Sequence, residues 1–259
     1  MHMDDRAVVS SPAAHHTLRI LGLLSAQRGP VAASTIAHAL ELPRSTVYRL
    51  LGVLEEHGFV LHFPEARRYG IGIAAFELSS GFMRQEPLTR LGRPILSALV
   101  DRLGESAHLA VLHGRDVVYL IEERAPRRPH LVTDVGVRLP SHVTASGRAL
   151  LATLPKSQLR ALFPSSESFV HRSESGPSTY AELSHLLEGV RERGFAAEDG
   201  DVTEGIASVA VAVRDHAGWP AAGIAVSFPR DAIPVERWPE LASQIGTVAA
   251  ELSRRISGR

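Results

Sequence analysis

The sequence is marked first by what it has little of. It has no cysteine among its 259 residues, which excludes a disulfide framework, a thiolate zinc site and a cysteine nucleophile. It also has no excess of either charge, because 28 basic residues balance 28 acidic ones. A neutral chain has no overall electrostatic attraction to nucleic acid, so any DNA binding must depend on a local cluster of charge.

Long hydrophobic runs are absent as well. No stretch approaches the roughly 18 apolar residues that indicate a membrane-spanning helix. The longest candidate, Ile206 to Val213, is stopped by Arg214 and Asp215. The amino terminus lacks the basic segment and apolar region of a secretory signal. We therefore expect a soluble, cytoplasmic protein with no membrane partner, and a reducing compartment also suits the lack of cysteine.

The composition is that of an ordinary globular protein. Apolar residues make up 44% and charged residues 22% of the chain, which excludes disordered, collagen-like and purely coiled-coil classes. The length corresponds to two domains or one large one.

The amino-terminal third has the pattern of a helix-turn-helix. A first helix starts at Ser11-Pro12, and Ser34 can cap a second short helix that runs through Leu40. Pro43 can open a third helix, which the Gly58 stop ends. Only Glu41 and Leu42 lie between the second and third helices. Two short helices joined by so tight a turn are typical of DNA-binding motifs.

The third helix separates into two faces. Its apolar residues recur at helical spacing and predict a core-facing stripe of Val47, Leu50, Leu51 and Leu54. The outward face carries guanidinium groups, hydroxyls and an aromatic ring, which are donors that a major-groove helix needs. A solvated helix surface is the alternative explanation. The candidate DNA contacts are Ser34, Arg44, Ser45, Thr46, Tyr48 and Arg49, with Thr46 at the border of the two faces.

A predicted hairpin follows this helix. Two short strands, Phe59 to Phe63 and Arg68 to Ile71, flank a four-residue turn. A hairpin directly after a recognition helix is a wing, and Arg67 and Arg68 near its tip are candidates for phosphate or minor-groove contacts. Solvation alone also explains charged residues at a hairpin tip.

The rest of the chain mixes strands with helices. A helical linker is predicted after the wing, with a domain boundary near Arg84 to Pro87. The predicted strands are His108 to Leu112, Val117 to Ile121, Leu131 to Val135, Ala207 to Val213 and Ala221 to Phe228. Helices lie between the third and fourth of these strands and close the chain, which indicates an α+β domain on a largely antiparallel sheet.

Three segments together resemble the IclR family of bacterial transcriptional regulators. They are LPRSTVYRLLGVLEEHGFV (Leu42 to Val60) with RRYGIG (Arg67 to Gly72), then VGVRLPSHVTASGRALLA (Val135 to Ala152), then RGFAAEDGDVTEGIASVAVAV (Arg193 to Val213) with AAGIAVSFP (Ala221 to Pro229). The resemblance extends over nearly all of the chain, roughly Thr17 to Ser253. Three such segments in order at these separations are a specific signal.

The resemblance implies three parts. They are a winged helix-turn-helix DNA-binding domain at residues 1–72, a linker helix at 73–86 that dimerises, and an effector-binding domain at 87–259 with a GAF-like or profilin-like antiparallel sheet. Its implied partners are a double-stranded palindromic operator, a small organic acid as effector, and further copies of the chain in a dimer or a dimer of dimers. No cofactor, metal or catalytic residue is expected.

The resemblance also implies an effector pocket. Its candidate lining is Ala145, Ser146, Gly147, Glu198, Ile206, Ser208, Ala225 and Ser227. The chain departs from the family pattern at Arg148, where Lys is frequent, at Glu198, where Asp is frequent, and at Ala225, where one of two serines usually lies. These departures favour a ligand other than glyoxylate or pyruvate. Glu198 could accept a hydrogen bond from a ligand hydroxyl, amide or hydrazide group.

Two other functions stay open at this point. A small-molecule hydrolase could use Ser146 with His142, with a vestigial helix-turn-helix. A dimerising scaffold would bind neither ligand nor DNA with preference.

Overall fold

The fold is taken from a computed structural model, which describes residues 11–27, 29–78, 87–126, 128, 131–170 and 176–257. The chain divides into two compact units, Met1–Gln85 and Glu86–Arg259. The predicted linker helix at 73–86 falls partly outside the described residues: residues 73–78 are helical, and 79–86 are not described.

The first unit is a winged helix-turn-helix. Its elements are α1 (Pro12–Ser25), β1 (Val31–Ala32), α2 (Ala33–Leu40), α3 (Arg44–Glu56), β2 (Val60–Phe63), β3 (Arg68–Ile71) and α4 (residues 73–78). The three strands form an antiparallel sheet in the order β1-β3-β2. Buried residues of α1, α2 and α3, including Ile20, Ile36 and Val47, pack into one core with Tyr69 of the sheet.

The turn between α2 and α3 is held by backbone geometry. Glu41 ends α2 in the left-handed conformation, with φ of 56°. The Leu42 amide donates to the Ala37 carbonyl at 2.9 Å, which closes the end of the helix. The tight connection predicted from the sequence is therefore present and spans residues 41–43.

The prediction that Ser34 caps α2 is wrong. The helix begins at Ala33, and its N-cap is Ala32, which makes no side-chain hydrogen bond. Strand β1 pairs Val31 with Tyr69 and leads directly into the helix, so the capping position falls inside the strand. Ser34 is exposed in the first turn of α2.

The second unit is built on one six-stranded sheet. Its elements are α5 (Pro87–Leu103), β4 (Ser106–His113), β5 (Asp116–Glu123), β6 (Arg138–Pro140), α6 (Ala145–Leu151), α7 (Lys156–Leu162), α8 (Tyr180–Arg193), β7 (Ala196–Asp199), β8 (Ile206–Arg214), β9 (Pro220–Pro229) and α9 (Trp238–Ile256), with short 3-10 turns at Ser166–Ser168 and Val235–Arg237. The strand order is β6-β5-β4-β9-β8-β7, and every neighbouring pair is antiparallel. The predicted α+β class, with a winged helix-turn-helix before an antiparallel-sheet domain, is confirmed.

The two faces of this sheet differ in character. Large apolar residues of β9, such as Ile224, Val226 and Phe228, point to the face covered by α5 and α9. The residues that alternate with them, Ala225 and Ser227, point to the face on which α6 packs. Small side chains on that second face let α6 approach closely and leave room for a cavity.

Two strand predictions need correction. Leu131 to Val135 is not a strand, and β6 lies further along at Arg138–Pro140. Gly136, at φ of 86°, forms a turn whose amide donates to the Tyr119 carbonyl at 2.8 Å, so pairing with β5 begins only after it. Strand β7 at Ala196–Asp199 was not predicted, because four residues at a sheet edge give too short a pattern.

A buried arginine joins three segments of this unit. Arg148 in α6 is 3% exposed. Its Nε donates to the His142 carbonyl at 2.8 Å, its Nη1 to the Ala197 carbonyl at 2.8 Å, and its Nη2 to Asp201 Oδ2 at 2.6 Å. One guanidinium therefore fixes α6 to strand β7 and to the loop that follows that strand.

We predict that Arg148→Met destabilises the second unit by roughly 3–5 kcal/mol, because Asp201 then stays buried without its counter-charge. Urea unfolding followed by tryptophan fluorescence measures this, since Trp219 and Trp238 are the only tryptophans and both lie in the second unit.

Lys156→Met is the matched control. Lys156 pairs with Glu188 at 3.8 Å on the surface, so its loss should cost less than about 1 kcal/mol. Equal losses of unfolding free energy in the two variants would show that the buried Arg148–Asp201 pair stabilises the protein no more than a surface ion pair does.

Candidate functional site

The outward face of α3 is built as a donor surface. Arg44, Ser45, Tyr48 and Arg49 are exposed, with 56% of Tyr48 accessible, while Thr46 is half-buried. Within the described part of the chain, neither arginine of this face forms an ion pair. The core side chains of the same helix hold it in place, so the face is rigid and its guanidinium groups are available to an external partner.

The wing presents its two arginines differently. Arg67 is exposed at the turn in the left-handed conformation, with φ of 51°. Arg68 is also exposed, and its guanidinium donates to the Pro30 carbonyl at 3.3 Å, beside strand β1. Arg67 is thus the wing side chain whose donors are uncommitted among the described contacts.

The second unit contains a small pocket at one end of its sheet, with both polar and apolar side chains in its wall. The strand register creates it, because Ser227 lies opposite Ser208 and Ser208 lies opposite Glu198 across β9, β8 and β7. The space measures about 360 Å³, including the part open to solvent. Its lining residues are His108, Tyr119, Leu131, Thr133, Thr144, Ala145, Glu198, Val202, Thr203, Ile206, Ser208, Ala225 and Ser227.

Three side chains of this pocket form a hydrogen-bonded row. Glu198 Oε1 accepts from Ser208 Oγ at 2.6 Å, and Ser208 Oγ lies 2.9 Å from Ser227 Oγ. Glu198 Oε2 accepts from the amides of Asp201 at 3.1 Å and Val202 at 3.3 Å. Burial raises the pKa of Glu198 to about 7, although the hydrogen bonds from Ser208 and Val202 lower it.

His108 on β4 faces the same space. It is 1% exposed and meets the Tyr119 ring edge-on at 5.9 Å. Among the described residues, neither of its ring nitrogens has a hydrogen-bond partner, and the Thr133 hydroxyl also lacks one. Burial, with a further contribution from the Arg124 charge, lowers the pKa of His108 to about 4, so the ring is neutral and offers one donor and one acceptor.

Six of the eight residues predicted for the effector pocket come together in it. They are Ala145, Glu198, Ile206, Ser208, Ala225 and Ser227. Ser146 and Gly147 do not line it. A Cβ on Gly147 would lie 2.1 Å from the Ser141 carbonyl, so this glycine serves the close approach of two backbone segments.

Ser146 faces the sheet. A Cβ added to Gly223 of β9 would lie 3.2 Å from the Ser146 Cβ. Ser146 Oγ is buried without a hydrogen-bond partner among the described residues, and the N-cap of α6 is Thr144, whose Oγ1 accepts from the Gly147 amide at 3.0 Å. His142 Nε2 is bonded to the Val170 carbonyl at 3.1 Å. The hydrolase alternative, which needs a Ser146–His142 pair, therefore has no support.

Sequence reasoning missed several lining residues. They are His108, Tyr119, Leu131, Thr133, Thr144, Val202 and Thr203. One signal was present: His108 lies in an otherwise apolar strand between Ala107 and Leu109, and a polar residue there requires a partner or a ligand. The loop residues gave no such signal, because only the tertiary fold brings them to the pocket.

The described residues contain neither a membrane-spanning helix nor a metal site. No helix in that part of the chain is both long and apolar enough to cross a membrane. No cluster of three His, Asp or Glu side chains in the described ranges could hold a metal ion.

Comparisons with known proteins agree with this architecture. Residues 13–62 match the IclR helix-turn-helix domain, and residues 82–254 match the C-terminal domain of the bacterial transcriptional regulator IclR. A relative named "Probable transcriptional regulator SauR" from Cupriavidus necator is 37% identical over 85% of this chain and 87% of its own length.

Two solved structures show the same fold. An IclR transcriptional regulator from Alicyclobacillus acidocaldarius has a TM-score of 0.84 at 24% identity and covers 95% of this chain and 99% of its own. An IclR homolog from Microbacterium hydrocarbonoxydans, complexed with 4-hydroxybenzoate, has a TM-score of 0.81 at 20% identity and covers 95% of this chain and 100% of its own.

We predict that Glu198→Gln stabilises the protein above pH 7 and leaves its stability unchanged near pH 4. The unfolded chain releases the Glu198 proton above the ordinary glutamate pKa of 4.5. Because the pKa is raised in the folded chain, the folded protein keeps this proton up to about pH 7. Wild-type stability therefore falls as the pH rises from about 4.5 to about 7, by on the order of 3 kcal/mol.

Urea unfolding of both proteins across this range, followed by tryptophan fluorescence, measures the difference. A constant difference between wild type and variant at every pH would show that the Glu198 carboxyl titrates normally.

Proposed function

The chain belongs to the IclR family of bacterial transcriptional regulators, with a helix-turn-helix domain and a C-terminal effector domain, and we propose that it binds a palindromic operator as a dimer or a dimer of dimers. In this proposal residues 1–72 bind DNA, residues 73–86 link and dimerise, and residues 87–259 bind a small organic effector.

The observation that carries the DNA-binding part is the outward face of α3. Arg44 and Arg49 supply forked donors that match guanine or phosphate, and Ser45, Thr46 and Tyr48 supply hydroxyls. Because a tight turn joins α2 to α3, α3 is the second helix of the helix-turn-helix. In such motifs the second helix enters the major groove. Two such helices in a dimer would contact half-sites about one helical turn apart.

The wing and the start of α2 supply the supporting contacts. Arg67 and Arg68 would bind phosphates or the minor groove beside the half-site, and Ser34, exposed in the first turn of α2, would bind a phosphate. These contacts position the domain, while α3 reads the bases.

The pocket between α6 and strands β4, β7, β8 and β9 is our candidate effector site. Ala145, Glu198, Ile206, Ser208, Ala225 and Ser227 would line it, and the pocket residues that the sequence did not predict would join them. We propose an aromatic or short-chain acid, or a related acyl compound, as the effector. A small pocket with both polar and apolar walls, and a homolog complexed with 4-hydroxybenzoate, support this class.

The effector acts through a difference in affinity. A ligand that binds one arrangement of the dimer more tightly than another shifts DNA affinity by that difference in free energy and no more.

Arg49→Ala is expected to weaken binding to the operator by roughly 1–3 kcal/mol if the guanidinium reads a base. Fluorescence anisotropy on an operator selected from a random-sequence library, with excess nonspecific competitor, measures the loss. Arg254→Ala, an exposed arginine of α9, is the matched control and should bind as wild type does. Unchanged affinity of the Arg49 variant would remove this residue from the interface.

Arg67→Gly is expected to weaken binding to all DNA sequences alike and to reduce the salt dependence by about one phosphate contact. Glycine adopts the left-handed conformation of this position without cost, so the wing should stay folded. Anisotropy on operator and nonspecific duplexes across a salt series separates this from the Arg49 effect. A loss confined to the operator would contradict a phosphate contact.

A further inference from the structure

The row formed by Glu198, Ser208 and Ser227 has a direction. Each hydroxyl has one proton to donate. Glu198 Oε1 lies 2.6 Å from Ser208 Oγ, which lies 2.9 Å from Ser227 Oγ. Glu198 is 4% exposed and Ser227 is 6% exposed, so the row is largely shielded from bulk solvent and faces the pocket. The orientation of one proton therefore sets the orientation of the next.

The charge of Glu198 decides which way the row points. With an ionised carboxylate, Ser208 donates to Glu198, Ser227 donates to Ser208, and Ser227 shows only lone pairs to the pocket. With a neutral carboxylic acid, Glu198 donates to Ser208, Ser208 donates to Ser227, and the Ser227 proton turns toward the pocket. The same three side chains thus present an acceptor in one state and a donor in the other.

The surroundings of Glu198 offer little positive charge to a ligand. Asp201, in the following loop, faces Glu198 and is paired with Arg148 of α6. The next residue of β7, Asp199, pairs with Arg230. Among the described residues no Lys or Arg lines the pocket; its other titratable groups are His108 and Tyr119.

One guanidinium lies in the adjoining space. Arg128 lines it together with Ser227, but this arginine is bonded to the Glu105 carboxylate. An anion in the pocket must therefore be held by hydrogen-bond donors, and an ionised Glu198 beside it would repel it.

We propose that this site selects a small carboxylate ligand by taking up one proton on Glu198, which turns the Ser227 hydroxyl into a donor to the ligand. The proton comes from solvent, the Glu198 carboxylate becomes a carboxylic acid, and no other bond forms or breaks. The neutral His108 ring and the Thr133 hydroxyl supply further donors without a partner of their own among the described residues. The inference rests on the proposed effector function of this pocket.

Burial places the pKa of Glu198 at about 7, so this uptake costs little near neutral pH. Above that value, each further pH unit lowers the fraction of protein with a protonated Glu198 about tenfold. The affinity for a carboxylate should therefore fall about 10-fold per pH unit above pH 7 and stay constant below about pH 6.

Isothermal titration calorimetry of the full chain tests the proposal with three carboxylates and their neutral analogues. The carboxylates are acetate, pyruvate and 4-hydroxybenzoate, and the analogues are the corresponding carboxamides, which have nearly the same shape. At pH 7 the heat measured in buffers of different ionisation enthalpy should show uptake of about half a proton per carboxylate bound, rising toward one at higher pH. The amides should bind without proton uptake.

Glu198→Gln fixes the row in its donor state. The glutamine amide donates to Ser208, while its oxygen still accepts from the amides of Asp201 and Val202. Carboxylate affinity in this variant should equal the low-pH value of wild type, be flat with pH, and show no proton uptake. If the ligand rather than Glu198 carried the proton, the variant would keep the tenfold dependence.

Two further variants complete the test. Ser208→Ala interrupts the row and should weaken carboxylate binding at low pH, while the pH dependence shrinks to the part that repulsion by the ionised Glu198 supplies. Glu188→Gln, on the exposed side of α8, changes a carboxyl far from the row and should keep the wild-type profile.

Some outcomes would overturn the inference. No binding of any of the three carboxylates at millimolar concentration would do so, as would tighter binding of the amides below pH 7 or a pH dependence unchanged in Glu198→Gln. Operator binding, measured separately by anisotropy, keeps the two proposals apart. A protein that binds its operator but fails these tests loses only the proton-coupled site, whereas one without an operator loses the proposed function.

Discussion

The second unit depends on one guanidinium with three acceptors. Arg148 is buried with its charge matched by Asp201 and its remaining donors taken by two backbone carbonyls. This satisfies the condition under which a buried charge is tolerated. The loop held by Asp201 supplies the two amides that bind Glu198, so the position of the pocket acid follows from an ion pair that lies outside the pocket. Stability and ligand chemistry are therefore coupled through a single side chain.

The sheet register supplies the second constraint. Because successive residues of a strand point to opposite faces, β8 and β9 can give large apolar side chains to α5 and α9 and small polar ones to the α6 side. Ser227, Ser208 and Glu198 meet only because their strands are aligned residue to residue. A slip of one residue in β8 would send Ser208 into the apolar core and either Ala207 or Val209 into the pocket.

The sequence was sufficient for features that depend on local pattern and insufficient for those that depend on distant partners. Helical spacing located α3 and its two faces, and turn residues located the wing. The ion pair between Arg148 and Asp201 joins residues 53 positions apart and leaves no local trace. Ser34 has the residue type of a cap, but strand β1 occupies the capping position, and its pairing with β3 is a long-range contact. The resemblance correctly placed Ala145 at the pocket, but Gly147 packs against Ser141 and Ser146 packs against Gly223, so neither of these two residues lines it.

The separation of the two faces of α3 has a consequence for how such a protein changes over time. Its buried side chains Val47, Leu50, Leu51 and Leu54 are shared with α1 and α2, while Arg44, Ser45, Tyr48 and Arg49 project away from that core. Exchanges on the outward face leave the packing untouched, and surface substitutions of this kind usually shift stability by no more than about 0.5 kcal/mol. A duplicated copy of the gene can thus drift to a new DNA target by a few exposed replacements while inheriting an intact scaffold.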